Sequence, residues 1–555
     1  MRKIIGPLGF FVFFSWIFIT FMKPIQDPDT WWHLASGRYM IENRLIPHQD
    51  VFSLTCRGAE WINTYWLFEI GFYAIYVLSG FPGLVCCHAL CLVIIFLILD
   101  RWLNEEQIEW PLRALFLLLI LFSNGVVRAI WAYYASLVSL FFICLLAFSL
   151  NHWKRHSWDR SIWIWPFLFM LWANMHRGFL IGLIIAGFYV AAALQESKRE
   201  FQKRTVWLLA CFAATFVNPF TYRVYGMIWD DFSLSGQNII GWSKTKWQNM
   251  EIFWFTVFIL WVFILKDFFW NKKTEWPLIC TFLFLTYLGI SHAFSVCYFM
   301  VFAIPFIATH IRVLFSDRIV SLYFKKTEII FQWTITLFFL IAISRTNVQA
   351  AIDTSLVPVG AFDLIATYHL KGPIVNDYLF GGYFLWRCAG DPAVFIDGRY
   401  PAVKGYQQLF HEFNVAKYGG PQHWAEFTDK YGFQAALVKY PINAPYKSTF
   451  EVYFPRQKWA LVYWDDIGLL FLRRTPEHAD IIQEYEYKEI YPDATDQYLI
   501  QRFGQMNEAR LKRAEHELFQ NILLHPESER TQYLIALFRS YQKHQSFNTQ
   551  CRVTN

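Results

Sequence analysis

Eleven apolar stretches, each long enough or nearly long enough to cross a lipid bilayer, limit what this chain can fold into. They lie at residues 4–22, 82–99, 111–127, 132–150, 161–175, 178–194, 205–219, 251–265, 276–291, 293–311 and 328–344. A transmembrane helix needs about 20 predominantly apolar residues. Because 56% of the residues are apolar and only 17% are charged, the composition excludes an ordinary soluble protein. The sequence therefore predicts a polytopic helical membrane protein.

A twelfth stretch, Thr64 to Gly80, decides the predicted topology. It carries Glu69 at its centre, so it either spans the bilayer or lies along the membrane surface. If it lies flat, the cytoplasmic segments hold 18 of the 27 Lys and Arg residues before residue 345, and the outer segments hold nine. If it spans, 16 of those 18 move outside and seven remain within. The positive-inside rule favours the flat segment, eleven spans, a cytoplasmic N-terminus and an extracytoplasmic C-terminal region.

The net charge of +6 does not indicate a nucleic-acid partner. Residues 1–344 carry 27 Lys and Arg against 20 Asp and Glu, an excess of +7, whereas residues 345–555 carry 22 against 23. The excess therefore lies in the membrane part, where basic residues set orientation. We expect membrane lipids around this part of the chain and no nucleic acid.

The pattern changes after residue 344, which predicts three domains. A transmembrane domain occupies 1–344, with its first outer loop at 23–81, an α/β domain occupies 345–475, and a helical tail occupies 476–555. The last two helices form either a tetratricopeptide-like pair or a helical cap. The predicted strands are Pro373–Asn376, Ala393–Asp397, Ala435–Val438 and a hairpin of Trp459–Trp464 with Gly468–Arg473.

Polar residues near membrane depth gather on the predicted outer side. Such groups are costly in lipid and usually face a cavity. The cytoplasmic segments have no phosphate-binding glycine loop, so we expect any chemistry to take place outside. The outer set is Asp27, Asp29, His33, Glu60, Glu69, Arg128, Asn174, His176, Arg177, Asn218, Arg223, Asp230, Asp231 and His292.

Asp27 and Asp29 follow the first apolar stretch and precede the aromatic pair Trp31 and Trp32. Two carboxylates at this spacing predict either a shared divalent cation, Mg²⁺ or Mn²⁺, or a general base with its orienting partner. The structural alternative makes Asp29 the N-cap of a helix and the two tryptophans interface anchors. Asp230-Asp231 is a second metal-binding candidate, with a solvated loop turn as its alternative.

These features resemble the GT-C superfamily of polytopic glycosyltransferases, which includes oligosaccharyltransferases, protein O-mannosyltransferases and the aminoarabinose transferases of lipid A. Closer similarity is to uncharacterised bacterial members whose first loop has an Asp-x-Asp-x-Trp-Trp-His-Leu pattern. One departure is that Glu60-Trp61-Ile62-Asn63 replaces the Lys-Pro-Pro element of the aminoarabinose type. The matching residues are Asp27 to Leu34, Gly37, Ile46-Pro47, Asp50, Phe52-Ser53, Thr55, Glu60-Trp61, Asn174, His176, Gly178-Phe179, Asn218-Pro219, Asn376 to Tyr378, Gly381 to Tyr383 and Phe395 to Arg399.

The resemblance implies an all-α polytopic membrane domain of about eleven helices with a C-terminal extracytoplasmic α/β domain and a helical tail. It implies transfer of a sugar from a polyprenyl-phosphate donor to a lipid, glycan or protein acceptor, with inversion, at the outer face of a bacterial inner membrane. Asp27 or Asp29 is then the base. A lipid-linked sugar flippase or other transporter, and a non-catalytic envelope scaffold, are the competing interpretations.

A polyprenyl-phosphate donor needs cations at its phosphate. The predicted phosphate-binding residues are Arg128, His176, Arg177 and Arg223. For the arginines the alternative is snorkelling to lipid headgroups, and for His176 it is an ordinary interfacial histidine. The predicted substrate-binding residues are His33, Glu60, Trp61, Glu69, Asn174, Asp397 and Arg399. For Asp397 and Arg399 the alternative is a buried ion pair that fixes a turn.

Overall fold

A computed structural model describes residues 2–123, 134–156, 160–233, 244–269, 275–314, 318–346, 348, 353, 356–399, 402–439 and 452–553. The chain divides into two compact units. Unit 1 comprises residues 1–46 and 62–352, and unit 2 comprises residues 47–61 and 353–555. Residues 47–61 of the predicted first outer loop thus belong with the C-terminal region, which the predicted three-part division did not anticipate.

Unit 1 is helical, and helices form wherever the sequence has an apolar stretch and its residues are described. The helices are α1 Arg2–Phe21, α2 Asp29–Asn43, α3 Trp66–Glu105, α4 Trp110–Phe122, α5 Tyr134–His156, α6 Trp165–Met175, α7 Phe179–Ala192, α8 Lys198–Ala214, α9 Arg223–Ser233, α10 Glu251–Phe269, α11 Trp276–Ser291, α12 Val296–Leu314 and α13 Arg318–Arg345.

Aromatic side chains hold several of these helices together. The ring of Phe13 on α1 lies 5.5 Å from Trp110 on α4 and 5.0 Å from Phe339 on α13. Edge-to-face ring contacts of this kind add to the packing that associates helices in lipid, where apolar burial itself supplies little driving force.

Four helices within the described residues are both long and apolar enough to cross a membrane: Trp66–Glu105, Ala135–His156, Glu251–Phe269 and Ala293–Val313. Shorter apolar helices lie at Pro7–Phe21, Trp110–Phe122, Phe179–Gln195, Trp276–Ser291 and Trp333–Arg345. The protein is therefore a helical membrane protein, whereas the predicted number of eleven spans is not confirmed.

The stretch predicted to lie flat is the first part of α3, and it is separated from the second part by a sharp break. Gly80 has φ 63° and ψ −161°, a conformation that glycine adopts and other residues avoid. Pro82 follows within the same helix and strengthens the break. Gly80 therefore turns the chain where the predicted surface segment meets the predicted span at 82–99.

Unit 2 is an α/β unit built on one four-stranded sheet. The strands β1 Ile374–Asn376, β2 Ala435–Lys439, β3 Trp459–Trp464 and β4 Gly468–Arg473 stand in the order β1-β2-β4-β3. β1 pairs with β2 in parallel and the other pairs are antiparallel. The helices are α14 Val359–Thr367, α15 Gly381–Cys388, α16 Tyr406–Tyr418, α17 Pro421–Lys430, α18 Ala479–Tyr485, α19 Asp496–Gly504, α20 Glu508–Leu524 and α21 Glu529–Val553.

The predicted strand Ala393–Asp397 is wrong. Its backbone hydrogen bonds go to a loop and to a side chain, and not to a neighbouring strand. Val394 forms an isolated parallel bridge with Ser53 of the loop, and the side chain of Asn376 binds the backbone of the next two residues. The Asn376 amide donates to the carbonyl of Ile396 at 2.7 Å, and its side-chain oxygen accepts the Phe395 N–H at 3.1 Å. The segment is apolar because it is buried, and a short buried loop has the same apolar composition as a buried strand.

Candidate functional site

The two carboxylates after the first helix lie at the start of α2. Asp27 is only 2% exposed, and its Oδ1 accepts the backbone N–H of Asp29 at 3.0 Å. Asp29 begins the helix and is half-buried. Asp29 is therefore the first residue of the helix and not its N-cap, which is Pro28 without a side-chain cap bond. The carboxylate that binds the helix start is Asp27, two residues before the predicted cap, where the helix dipole favours a negative charge.

α2 packs closely on the first part of α3 because Gly37 has no side chain. A Cβ atom at Gly37 would lie 2.2 Å from the carbonyl oxygen of Glu69 and 2.8 Å from the Cβ of Tyr73. The backbone of α3 therefore approaches α2 at a distance that only glycine permits. This contact brings the side chain of Glu69 to α2.

His33, Glu69 and Asn63 form a buried polar triad between α2 and α3. The Nδ1 atom of His33 lies 3.0 Å from Oε1 of Glu69, and the Asn63 amide donates to Oε2 at 2.6 Å. The Asn63 side-chain oxygen in turn accepts the N–H of Tyr65 at 3.0 Å. Both oxygens of the Glu69 carboxylate thus have a hydrogen-bond donor, as a carboxylate removed from water requires.

The imidazole of His33 is surrounded by aromatic rings. Its centroid lies 3.6 Å from Trp32, 5.1 Å from Tyr65 and 5.3 Å from Phe68. Burial, with a smaller contribution from His176, lowers the pKa of His33 well below its usual value. The ring is therefore neutral at neutral pH and donates its Nδ1–H to Glu69.

Asn174 joins the loop helices to the ends of two helices of the bundle. Its side-chain oxygen accepts the indole N–H of Trp66 at 2.9 Å. Its amide donates to the carbonyls of Met170 on α6, at 2.7 Å, and Val217, at 2.8 Å. The predicted substrate-binding residue thus has three protein partners, and its geometry is that of a residue that fixes the position of Trp66.

His176 follows α6 and is held in one tautomer by its neighbours. Its Nδ1 accepts the backbone N–H of Gly178 at 3.0 Å and lies 2.6 Å from Oγ of Ser139, which accepts the indole N–H of Trp172 at 2.8 Å. Ser139 therefore donates its hydroxyl hydrogen to Nδ1. With Nδ1 an acceptor, the neutral ring carries its hydrogen on Nε2, which can donate to a ligand oxygen.

Tyr65 connects the triad with the predicted phosphate-binding residues. Its ring lies 5.1 Å from His33 and 5.4 Å from His176, and the guanidinium carbon of Arg177 lies 5.9 Å from its centroid. The structure therefore brings His33, Glu69, His176 and Arg177 around one tyrosine. This Tyr65 cluster joins the first-loop helices to the α6–α7 turn.

Buried polar atoms at the start of α2 suit an oxygen-binding cation. Thr30 Oγ1 is buried without a hydrogen-bond partner in the described structure, and it lies next in sequence to Asp29. Carboxylate and hydroxyl oxygens are the ligands that Mg²⁺ and Mn²⁺ prefer. Asp27, Asp29 and Thr30 thus have the donor chemistry that such an ion needs.

Other predicted site residues lie apart from these contacts. Arg223 and Asp230 are exposed on α9, so Asp230 is helical and not part of a loop turn. Arg128 and the side chain of Asp231 lie outside the described residues. Glu60, Trp61, Asp397 and Arg399 belong to unit 2.

Asp397 and Arg399 form a fully buried network with residues of the 47–61 segment. The Arg399 guanidinium contacts Asp397 at 2.7 Å and Asp50 at 2.5 Å, and its carbon lies 4.9 Å from the centroid of Trp61. Tyr406 donates its hydroxyl to Asp397 at 2.9 Å. This geometry matches the alternative of a buried pair that fixes a turn, and the same network accounts for Trp61.

Three contributors were not predicted as site residues from the sequence. Ser139 lies within an apolar stretch and belongs to no motif. Asn63 stands in the sequence only as part of a departure from a family pattern, and Tyr65 is a residue type that commonly anchors a protein at the membrane interface. Their roles depend on the packing of α2, α3 and α5, which a one-dimensional pattern does not encode.

The fold of this chain, a helical unit followed by an α/β unit, is similar to that of a solved oligosaccharyltransferase. The chain is similar to the oligosaccharyltransferase of Archaeoglobus fulgidus in its apo form, with a TM-score of 0.50 and 11% sequence identity, over 79% of this chain and 70% of that one. At this identity the likeness concerns the fold alone.

Two further structures of the Archaeoglobus fulgidus oligosaccharyltransferase are similar at lower scores. One is in complex with an inhibitory peptide and a dolichol-phosphate (TM-score 0.44, 12% identity, 79% of this chain and 70% of that one). The other is tethered to an acceptor peptide containing the NVT sequon (TM-score 0.47, 12% identity, 78% and 69%). The sequence matches no model of a known protein family and none of the curated proteins.

Proposed function

We propose that the protein is a membrane glycosyltransferase that moves a sugar from a polyprenyl-phosphate donor to an acceptor, with inversion, at the outer face of a bacterial inner membrane. One observation carries the proposal: the carboxylate of Asp27 is buried directly after the first helix of a GT-C-type fold. A buried carboxylate needs compensation, and a reaction that requires a base explains why it is retained there. The N-terminus is then cytoplasmic and unit 2 extracytoplasmic.

The Tyr65 cluster supports a role in binding the donor. A sugar phosphate leaving group develops negative charge, which hydrogen-bond donors and fixed cations stabilise. His176 offers an Nε2–H because Ser139 and Gly178 occupy Nδ1, and Arg177 adds a positive charge beside Tyr65. We assign both to the donor phosphate, whereas the predicted roles of Arg128 and Arg223 rest on the sequence alone.

Asp27 or Asp29 acts as the base in this proposal. The carboxylate takes a proton from the acceptor atom while that atom forms a bond to the anomeric carbon. The bond from that carbon to the phosphate oxygen breaks, and its electron pair leaves on the polyprenyl phosphate. A single displacement of this kind inverts the anomeric centre.

A divalent cation fits the oxygen donors at this position. Asp27, Asp29 and Thr30 would hold it, and it would supply positive charge beside the leaving phosphate. The carboxylate that does not act as the base then helps to position the other one. The two residues are already linked at the start of α2, where Asp27 accepts the backbone N–H of Asp29.

A transfer assay tests the proposal. Purified protein is supplied with radiolabelled polyprenyl-phosphate sugars and a membrane extract as the source of acceptor, with and without a chelator. We expect label to move to acceptor, and Asp27→Asn and Asp29→Asn to reduce transfer by about 100-fold or more, the range of an essential acid–base group. Glu42→Gln, an exposed carboxylate on the same helix, is the matched control and should retain full activity.

The competing functions give different results in the same preparation. Movement of labelled lipid-linked sugar across liposomes without transfer would identify a flippase. Full transfer by both Asp variants would remove the proposed base while leaving a transferase. A protein that folds, yet neither transfers nor moves the label, would be a scaffold.

A further inference from the structure

Glu105, His152 and His156 form a cluster that the proposed reaction does not use. One ligand atom from each lies within 4.8 Å of the others. Nδ1 of His152 is already 3.2 Å from Oε2 of Glu105, and the two imidazole centroids are 4.7 Å apart. Glu105 and His152 are half-buried and His156 is exposed, so an ion from solution can reach all three.

The positions in the sequence explain why these side chains meet. His152 and His156 are four positions apart on α5, so both rings lie on one face of the helix. Glu105 is the last residue of α3, and α3 packs against α5. His156 is likewise the last residue of α5. The negative ends of two helix dipoles therefore converge here, which favours a cation.

We propose that Glu105, His152 and His156 bind a zinc ion that links the ends of α3 and α5. Two imidazole nitrogens and one carboxylate oxygen are a common zinc donor set, and three protein ligands leave a fourth position for water. Tetrahedral zinc places its ligand atoms about 3.3 Å apart. The ligand atoms here lie within 4.8 Å of one another, so closing the cluster to that size takes shifts of about 1.5 Å, and the exposed His156 side chain is free to move.

The neighbouring charges do not prevent binding. Arg101 contacts Glu105 at 3.6 Å, but its side chain is 65% exposed, and an exposed pair of this kind contributes little. Arg155, in the same turn of α5, is paired with Glu106 and not with Glu105. A dication bound at two nitrogens and a carboxylate displaces Arg101 from Glu105 at small cost.

Titration of the full-length, tag-free protein in detergent with Zn²⁺ and with Co²⁺ tests the site. We expect one equivalent of zinc to bind, a tetrahedral Co²⁺ absorption band, and a higher midpoint of thermal unfolding with zinc. His156→Ala should weaken binding by at least about tenfold; because His156 is exposed, this variant should fold normally.

His310→Ala is the matched control. Nε2 of His310 lies 2.7 Å from Oδ2 of Asp267, and these two residues are not part of the proposed three-ligand site. Replacing His310 should therefore leave the zinc affinity unchanged. Unchanged zinc affinity in the His152→Ala/His156→Ala variant would overturn the proposal, as would the absence of binding to the unmodified protein at millimolar zinc. Glycosyl transfer is measured separately, and its failure in the unmodified protein would leave zinc binding intact.

Discussion

Nδ1 of His33 and Oε1 of Glu69 lie 3.0 Å apart at the crossing of α2 and α3, and neither side chain is exposed to solvent. Their contact joins two helices that are 36 residues apart in sequence at this pair. The Asn63 amide donates to the other oxygen of Glu69. The Glu69 carboxylate therefore connects the other two members of the triad.

Glu69→Gln should therefore destabilise unit 1. A glutamine has one acceptor oxygen in place of two. Its N–H₂ group then either faces the Asn63 donor or forces His33 to move its hydrogen from Nδ1 to Nε2 within a buried, aromatic site. The expected loss is about 1–3 kcal/mol, measured as a lower unfolding midpoint in a thermal melt of the purified protein. A midpoint equal to that of the unmodified protein would show that the triad does not stabilise the fold.

Acidification should destabilise the same region. Burial holds the pKa of His33 below the value of about 6.5 that it has in the unfolded chain. Between these two pKa values the unfolded state binds more protons, so stability is fully present above pH 6.5 and decreases as the pH falls through the window. Thermal melts from pH 7.5 to pH 5 measure this. His33→Gln should flatten the dependence, and an unchanged slope in that variant would exclude His33 as its source.

Gly37→Ala should disrupt the packing of α2 on α3. The added methyl group would lie 2.2 Å from the backbone oxygen of Glu69, and a backbone atom cannot move aside as a flexible side chain can. We expect a loss of about 1–3 kcal/mol from overpacking and reduced transfer activity. Gly71→Ala, with nothing within 4 Å of its added Cβ, is the control and should be neutral or slightly stabilising. Equal stability of the two variants would contradict the close approach.

The buried ion pairs of unit 2 make a separate prediction. Arg399→Met removes the partner of two fully buried carboxylates, Asp50 and Asp397, and should cost about 3–5 kcal/mol. Arg387→Met removes an exposed pair with Asp363 and should cost less than about 1 kcal/mol. Thermal melts and proteolysis at residues 47–61 measure both. Resistance of the Arg399 variant to proteolysis would show that the segment is held by other contacts.

Much of the fold was predictable because periodicity and composition act locally. Apolar length located the helices of unit 1, and alternation with turn residues located all four strands of the sheet. Ala393–Asp397 was wrong because its hydrogen bonds go to Asn376 and to the 47–61 segment, and partners distant in sequence leave no local pattern. For the same reason, the sequence did not predict that residues 47–61 belong to unit 2.

The candidate site was predictable in part. The cost of ionisable residues in lipid singled out His33, Glu69, His176 and Arg177 in the sequence, and the structure brings these four together around Tyr65. Their roles in donor binding stay predictions, as does the role of Asp27. The partners themselves were not evident. Neither Asn63 nor Ser139 belongs to a recognisable sequence pattern. Each matters because of the atom that it hydrogen-bonds in the folded protein, which is Oε2 of Glu69 for Asn63 and Nδ1 of His176 for Ser139.

Ser139 provides a test of the donor-binding role of His176. Ser139→Ala removes the hydroxyl that donates to Nδ1, so the ring can take the other tautomer and present a lone pair instead of an N–H to the phosphate. We expect kcat/KM for the donor to fall about tenfold, or about 1.4 kcal/mol, mainly through KM. Ser149→Ala, which removes only a bond to the carbonyl of Leu145 on the same helix, should leave the kinetics unchanged. If both serine variants keep full activity while His176→Ala does not, the tautomer is set by the Gly178 N–H alone, and Ser139 has no positioning role.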